Sequence, residues 1–214
     1  MATRDIATLK LGHVPLATPL LLAPIAGYCD LAFRTICREY GGVGLACTDL
    51  LSPQGLLRGT ATSLDLARTN EVDKPIGMQL YGSDPEIMAQ GARWAVEHGA
   101  TVVDVNMGCP VDKVTKKDGG SKLLTNLSRA VAIAQRVVKE LETCPLSPEE
   151  WKRRQGSWQA DCPAPPGRMT VPLTCKMRLC WHTSGGNMYG GYRCGSNSGL
   201  NVSTAFERVV FQSP

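Results

Sequence analysis

The sequence predicts an α/β fold of parallel βα units: the N-terminal part of a TIM (β/α)8-type barrel, about five units long, followed by an irregular or disordered C-terminal tail. Three observations lead there. Short apolar runs alternate with amphipathic segments between residues 20 and 177, the pattern of buried parallel strands joined by helices. The runs close on polar or unusual residues, Pro24, Asp49, Gln79, Asn106 and Lys176, and barrel chemistry sits at such C-terminal strand ends. No GxGxxG follows the first run, which counts against a dinucleotide-binding doubly wound sheet. Periodicity alone does not separate the two architectures.

Each element has its own signal. "LKLGHVPLATPLLLAP" (9–24) alternates and then runs apolar, as a hairpin leading into a buried strand near 20–24 does. "DLAFRTICREYGG" (30–42) reads as a helix capped by Asp30, with Leu31, Phe33, Ile36, Cys37 and Tyr40 as its apolar face and Gly41 as its stop. "VGLACTDL" (43–50) is the next strand, followed by a loop and then the strand "PIGMQL" (75–80). "SDPEIMAQGARWAVEHGA" (83–100) is a helix with a Ser83/Glu86 capping box, Pro85 in its first turn and Gly99 at its end. "TVVDVNM" (101–107) is the fourth strand and "VPLTCKM" (171–177) the fifth. Between them "LSRAVAIAQRVVKELE" (127–142) places Leu127, Val131, Ala134, Val138 and Leu141 on one helical stripe.

Two segments break this rhythm. Residues 143–170 are rich in Pro and polar groups and read as an inserted surface loop, whose Trp151 and Trp158 fit a flap packed on the barrel. Residues 182–214 are rich in Gly and Ser and read as a tail separate from the barrel of residues 1–181.

Composition sets outer bounds. Of the 214 residues, 43% are apolar and 20% charged, an ordinary globular balance, and the net charge of +4 permits an anionic partner without requiring one. The longest greasy stretch, around residues 19–28, is too short to span a bilayer, and the N-terminus lacks the apolar core of a signal peptide. Nine cysteines without a CxxC favour neither a disulfide frame nor a zinc site. These features point to a cytoplasmic protein without a metal, and leave its oligomeric state open.

The stretch "VVDVNMGCPVDKV" (102–114) places a thiol, Cys109, just beyond a strand, between Gly108 and Pro110. Together with "LAPIAGYCDLAFR", "MQLYGSDPE", "GGSKLL" and "VPLTCKMRLCW", it makes the chain resemble the tRNA-dihydrouridine synthases from about residue 9 to Trp181. That resemblance implies an FMN-dependent TIM barrel that uses NADPH to reduce the 5,6 double bond of uridines in tRNA.

The resemblance also implies roles for individual residues. Cys109 is the proton donor to C5 of the uracil; a thiol, with an ordinary pKa of about 8.5, is protonated at neutral pH yet can still give its proton to a carbanion. Pro24, Ile25 and Ala26 form the flavin-contacting turn, with Ile25 standing where Met is usual. Gln79 meets the edge of the isoalloxazine and Lys176 its N1 region. Asn106 faces the uracil or flavin, and Lys113 and Lys117, in a lysine-rich segment after the thiol, approach tRNA phosphates. Past Trp181 the late-barrel phosphate loops and the helical RNA-binding domain are not recognisable, so the chain reads as a truncated or frame-disrupted member. Two other readings are an FMN barrel acting on a free pyrimidine and a half-barrel without catalysis.

Overall fold

The structure, a computed structural model, describes residues 9–155, 167 and 169–177. The tail, residues 182–214, lies outside the described residues, as do Trp158 and most of the 156–168 stretch. A hairpin of β1 (Lys10–Leu11) and β2 (Val14–Pro15) leads into one parallel sheet. Its strands are β3 (Leu21–Leu22), β4 (Leu45–Cys47), β5 (Ile76–Leu80), β6 (Val102–Met107) and β7 (Leu173–Met177), neighbours in chain order. Sequential parallel neighbours curling in one direction are what repeated right-handed βα crossovers produce. The sheet is a curled half-barrel.

The helices are α1 (Leu31–Glu39), α2 (Pro53–Leu57), α3 (Ala61–Leu66), α4 (Pro85–Glu97), α5 (Asp112–Thr115), α6 (Leu127–Leu141) and α7 (Pro148–Arg154). On the outer face of the sheet Met78, Leu80, Val103, Val105 and Met107 pack with Met88 and Ala92 of α4 and with Ile133, Ala134 and Val137 of α6. Burial of such side chains contributes about 1.5–3 kcal/mol each. On the inner face Val14 and Leu16 of the hairpin segment join Leu45 and Val102 at the N-terminal strand ends. The hairpin therefore plugs one end of the half-barrel and leaves the C-terminal ends for polar groups.

Several expectations need correction. The strand near 20–24 is short and open: Leu20 is 62% exposed and Leu21 also lies in solvent, because β3 is an edge with β4 as its one partner among the described residues. Of the expected apolar face of α1, Leu31, Phe33 and Cys37 are half-buried, but Ile36 and Tyr40 face outward, Tyr40 88% exposed. The buried side chain of α1 is Arg34, which pairs with Asp73 at 2.9 Å and also donates to the carbonyls of Cys29 and Arg68. A guanidinium can be the inward side chain because its donors are met by a carboxylate and carbonyls. The loop after β4 contains α2 and α3, started by Ser52 accepting from the Gly55 N–H with Pro53 in the first turn. Gly91 lets α2 approach α4, since a Cβ there would lie 2.7 Å from the Pro53 Cβ.

Asp84, not Ser83, caps α4. Its extended backbone precedes Pro85 and its carboxylate accepts from the N–H groups of Glu86 and Ile87, whereas the Ser83 hydroxyl donates to the Lys117 carbonyl at 2.7 Å. Asp84→Ala is therefore expected to destabilise the fold by about 1 kcal/mol in urea denaturation, and a change no larger than that of Ser83→Ala would contradict the assignment.

The α6 stripe is also rotated: Ala130, Ile133, Ala134, Val137 and Leu141 are buried, while Leu127, Val131 and Val138 are only partly covered. Glu140 can sit on the buried flank because Arg93 and Arg136 both pair with it. Those arginines hold its carboxyl below the usual range, with the Arg136 hydrogen bond the largest influence. Within 143–170 the chain forms α7 behind a Ser147/Glu150 capping box, with Trp151 buried. Arg154 is buried too, donating to the Ala100 carbonyl at 3.0 Å, so it is part of the packing rather than a free surface cation.

Candidate active site at the strand ends

Inner-face polar groups collect toward the C-terminal ends of β5, β6 and β7. Gln79 is opposite Asp104 in the β5/β6 register; Asp104 is opposite Thr174, and Asn106 opposite Lys176, in the β6/β7 register. Side chains at opposed positions share a face, so these five line the inner surface. Gln79 is fully buried, Asp104 and Asn106 are buried, and Lys176 is exposed.

These side chains form one hydrogen-bonded row. Thr174 Oγ1 donates to Asp104 Oδ1 at 2.6 Å, and Gln79 Nε2 donates to Asp104 Oδ2 at 2.5 Å. Asn106 Nδ2 donates to Gln79 Oε1 at 2.8 Å, and Asn106 Oδ1 accepts from the N–H of Gly108 at 3.2 Å and of Cys109 at 2.9 Å. The Cys109 carbonyl in turn accepts from the Ser121 N–H and hydroxyl, both at 2.9 Å. Behind it runs a 3-10 turn, Gly120–Thr125. Gly120 has φ 60, and a Cβ there would lie 2.5 Å from the Cys109 carbonyl oxygen, so only glycine lets the chain pass so close. The cysteine is thus gripped at both backbone groups while its thiol-bearing segment stays partly exposed.

At the other side of the site, Pro24 is half-buried, and Ile25 and Ala26 are exposed on the turn after β3. The Gly27 N–H donates to Asp49 Oδ2 at 2.5 Å and the Leu50 N–H to Asp49 Oδ1 at 2.6 Å. The β4 end therefore fixes the β3 turn. Lys113 on α5 and Lys117 just beyond it are exposed, while the neighbouring Lys116 pairs with Asp112 at 2.8 Å. Gln79, Asn106 and Cys109 thus form one connected set, with Lys176 opposite Asn106 on the neighbouring strand.

Burial separates these groups from the other titratable ones. It pushes the Asp104 carboxyl up, against the hydrogen bonds from Thr174 and Gln79 that draw it down. Burial, reinforced by Asp104, pushes the Cys47 thiol far up and the Cys175 thiol to about 12. Those two thiols stay protonated packing groups. Among the described residues no group of three or more His, Cys, Asp and Glu could hold a metal ion, and no helix is long and apolar enough to cross a membrane. Asp104, Thr174 and Ser121 are not singled out by the sequence, and Asp49 stands out there only as a polar strand end. Asp104 had a readable signal, since Asp104 and Asn106 are two apart in an otherwise apolar run and so share one face of the strand.

Polar groups gathered at the C-terminal ends of parallel strands lie where TIM barrels carry their sites. The chain belongs to the dihydrouridine synthase family, whose profile matches residues 21–155, and the described strands form part of that family's TIM barrel. It is 37% identical over 154 residues to tRNA-dihydrouridine synthase B of Vibrio cholerae, covering 72% of this chain and 46% of the relative. The probable tRNA-dihydrouridine synthase 1 of Synechocystis is 37% identical over 155 residues, 69% of this chain and 40% of the relative. The synthase B of Pseudomonas putida is 30% identical over 209 residues, 97% of this chain and 50% of the relative, a match that reaches beyond Trp181. The chain spans about half or less of the length of these curated relatives.

Proposed function

We propose that this chain carries the uracil-reducing site of an FMN-dependent tRNA-dihydrouridine synthase, with NADPH as reductant, tRNA as substrate and the cytoplasm as its compartment. The supporting observation is Cys109, held at the end of the strand that carries Asn106 and next to the row that includes Gln79. The donor set suits a flavin ring: side-chain amides at Gln79 and Asn106, a cation at Lys176, and an open turn at Pro24, Ile25 and Ala26. When bound, the flavin supplies the hydride for C6 of the uracil.

The remaining work falls to the protein. Cys109 holds a proton at Sγ, gives it to C5 as the double bond is lost, and regains one from solvent. Asn106 keeps the Cys109 backbone in place through the 2.9 Å bond from its N–H. Lys176 supplies a positive charge at the strand end, and Lys113 and Lys117 offer exposed ammonium groups to tRNA phosphates. The test is to incubate tRNA transcripts with the protein, FMN and NADPH and to count dihydrouridine by nucleoside mass spectrometry. Free uridine and uracil run in parallel. Dihydrouridine in tRNA is expected; reduction confined to free pyrimidines would favour the free-pyrimidine reading.

Lys176→Ala is expected to lower the reduction potential of bound FMN, because the reduced ring loses a counter-charge. An unshifted potential would place Lys176 away from the ring.

A further inference from the structure

The polarity of the row is held from both ends, by backbone N–H groups that can only donate at one and by the Asp104 carboxylate that accepts at the other. A backbone N–H can only donate, so the bonds from Gly108 and Cys109 demand an acceptor, and Asn106 must turn Oδ1 toward them. That leaves Asn106 Nδ2 facing Gln79, which must answer with Oε1. The Gln79 amide is then committed, and its Nε2 needs an acceptor on the far side. Asp104 Oδ2 is that acceptor, while its Oδ1 is held by the Thr174 hydroxyl. Each link permits one orientation only, and the last is a buried carboxylate with no role in the packed outer core.

We propose that Asp104 is a positioning residue that sets the amide orientation of Gln79 and, through Asn106, holds the Gly108–Cys109 loop. This rests on the proposed function only for its consequence in tRNA reduction. Its physical logic is that a buried amide free to rotate presents the wrong group part of the time, and each reversal leaves two like groups facing each other. A structural role in the fold predicts something different. Leucine at position 104 leaves the Gln79 amide and the Thr174 hydroxyl without their acceptor, and a merely structural role would spread that loss of about 1–3 kcal/mol over the fold as a whole.

The experiment is residue-resolved amide exchange on the full chain for wild type, Asp104→Leu, Asp104→Asn and Gln79→Met. Asparagine keeps an oxygen to accept from Gln79 and can donate to the Thr174 hydroxyl, so it should preserve the orientation. In Asp104→Leu the Gly108 and Cys109 amides should exchange about tenfold faster, one hydrogen bond's worth, while the β6 and α4 amides keep their protection. Asp104→Asn should restore wild-type exchange at the loop. Gln79→Met breaks the same chain without touching Asp104 and should reproduce the loss, which keeps the test available if Asp104→Leu does not fold. Unchanged loop exchange in Asp104→Leu and Gln79→Met, or equal loss in Asp104→Leu and Asp104→Asn, would overturn the proposal. Dihydrouridine formation is followed on the same variants. Faster loop exchange with unaltered tRNA reduction would support the positioning role and count instead against Cys109 as proton donor.

Discussion

Cys109→Ala is expected to leave the fold and FMN reduction by NADPH intact while slowing tRNA uridine reduction by about 10²–10⁴-fold, the usual loss when a general acid is removed. The fold should survive because the bonds that fix residue 109 run through its N–H, to Asn106, and its carbonyl, to Ser121. Alanine keeps both groups and removes the thiol alone. Without the thiol no positioned proton would meet the charge developing at C5. Rapid-mixing kinetics separate the two half-reactions, and tRNA turnover at the wild-type rate would remove Cys109 from the mechanism.

Asp73→Ala should destabilise the protein by about 3–5 kcal/mol, the range for breaking one side of a buried ion pair. Arg34 and Asp73 both have fully buried side chains, 2.9 Å apart, and Arg38 reaches the other carboxylate oxygen at 3.0 Å. Truncating the aspartate strands a guanidinium that α1 has carried inside. The same arginine donates to the Cys29 carbonyl and to the Arg68 carbonyl, so it ties the turn after β3 to the segment before β5. Urea denaturation measures the loss; a value below about 1 kcal/mol would mean that water or a rearranged side chain meets the exposed charge.

The strands and their order were legible because a buried parallel strand leaves a largely apolar run, and 76–80 and 102–107 are such runs, buried throughout and interrupted only by Gln79, Asp104 and Asn106. The helix faces were less legible. Apolar spacing pointed to Ile36 and Tyr40 on α1, yet a network of three charged groups selects the opposite side, and charge partners distant in sequence leave no periodic trace. For Glu140 the same holds of Arg93, which lies on α4, whereas Arg136 is its i,i+4 neighbour on α6. Cys109, Gln79, Asn106 and Lys176 stand out in the sequence as candidates, by family resemblance and strand-end position. Asp104 shares a strand face with Asn106, which the sequence does display, but the part that it and Thr174 play in the row depends on pairing between β5, β6 and β7.

The central claim is that the strand-end thiol of Cys109 faces the place where flavin and uridine meet. Alkylation of the intact chain by iodoacetamide, read by peptide mass spectrometry, tests this most directly. With FMN and unmodified tRNA both present, labelling of Cys109 should slow at least tenfold, while the partly exposed Cys37 and Cys144 react as before. Labelling of Cys109 at an unchanged rate with FMN and tRNA present would contradict the account.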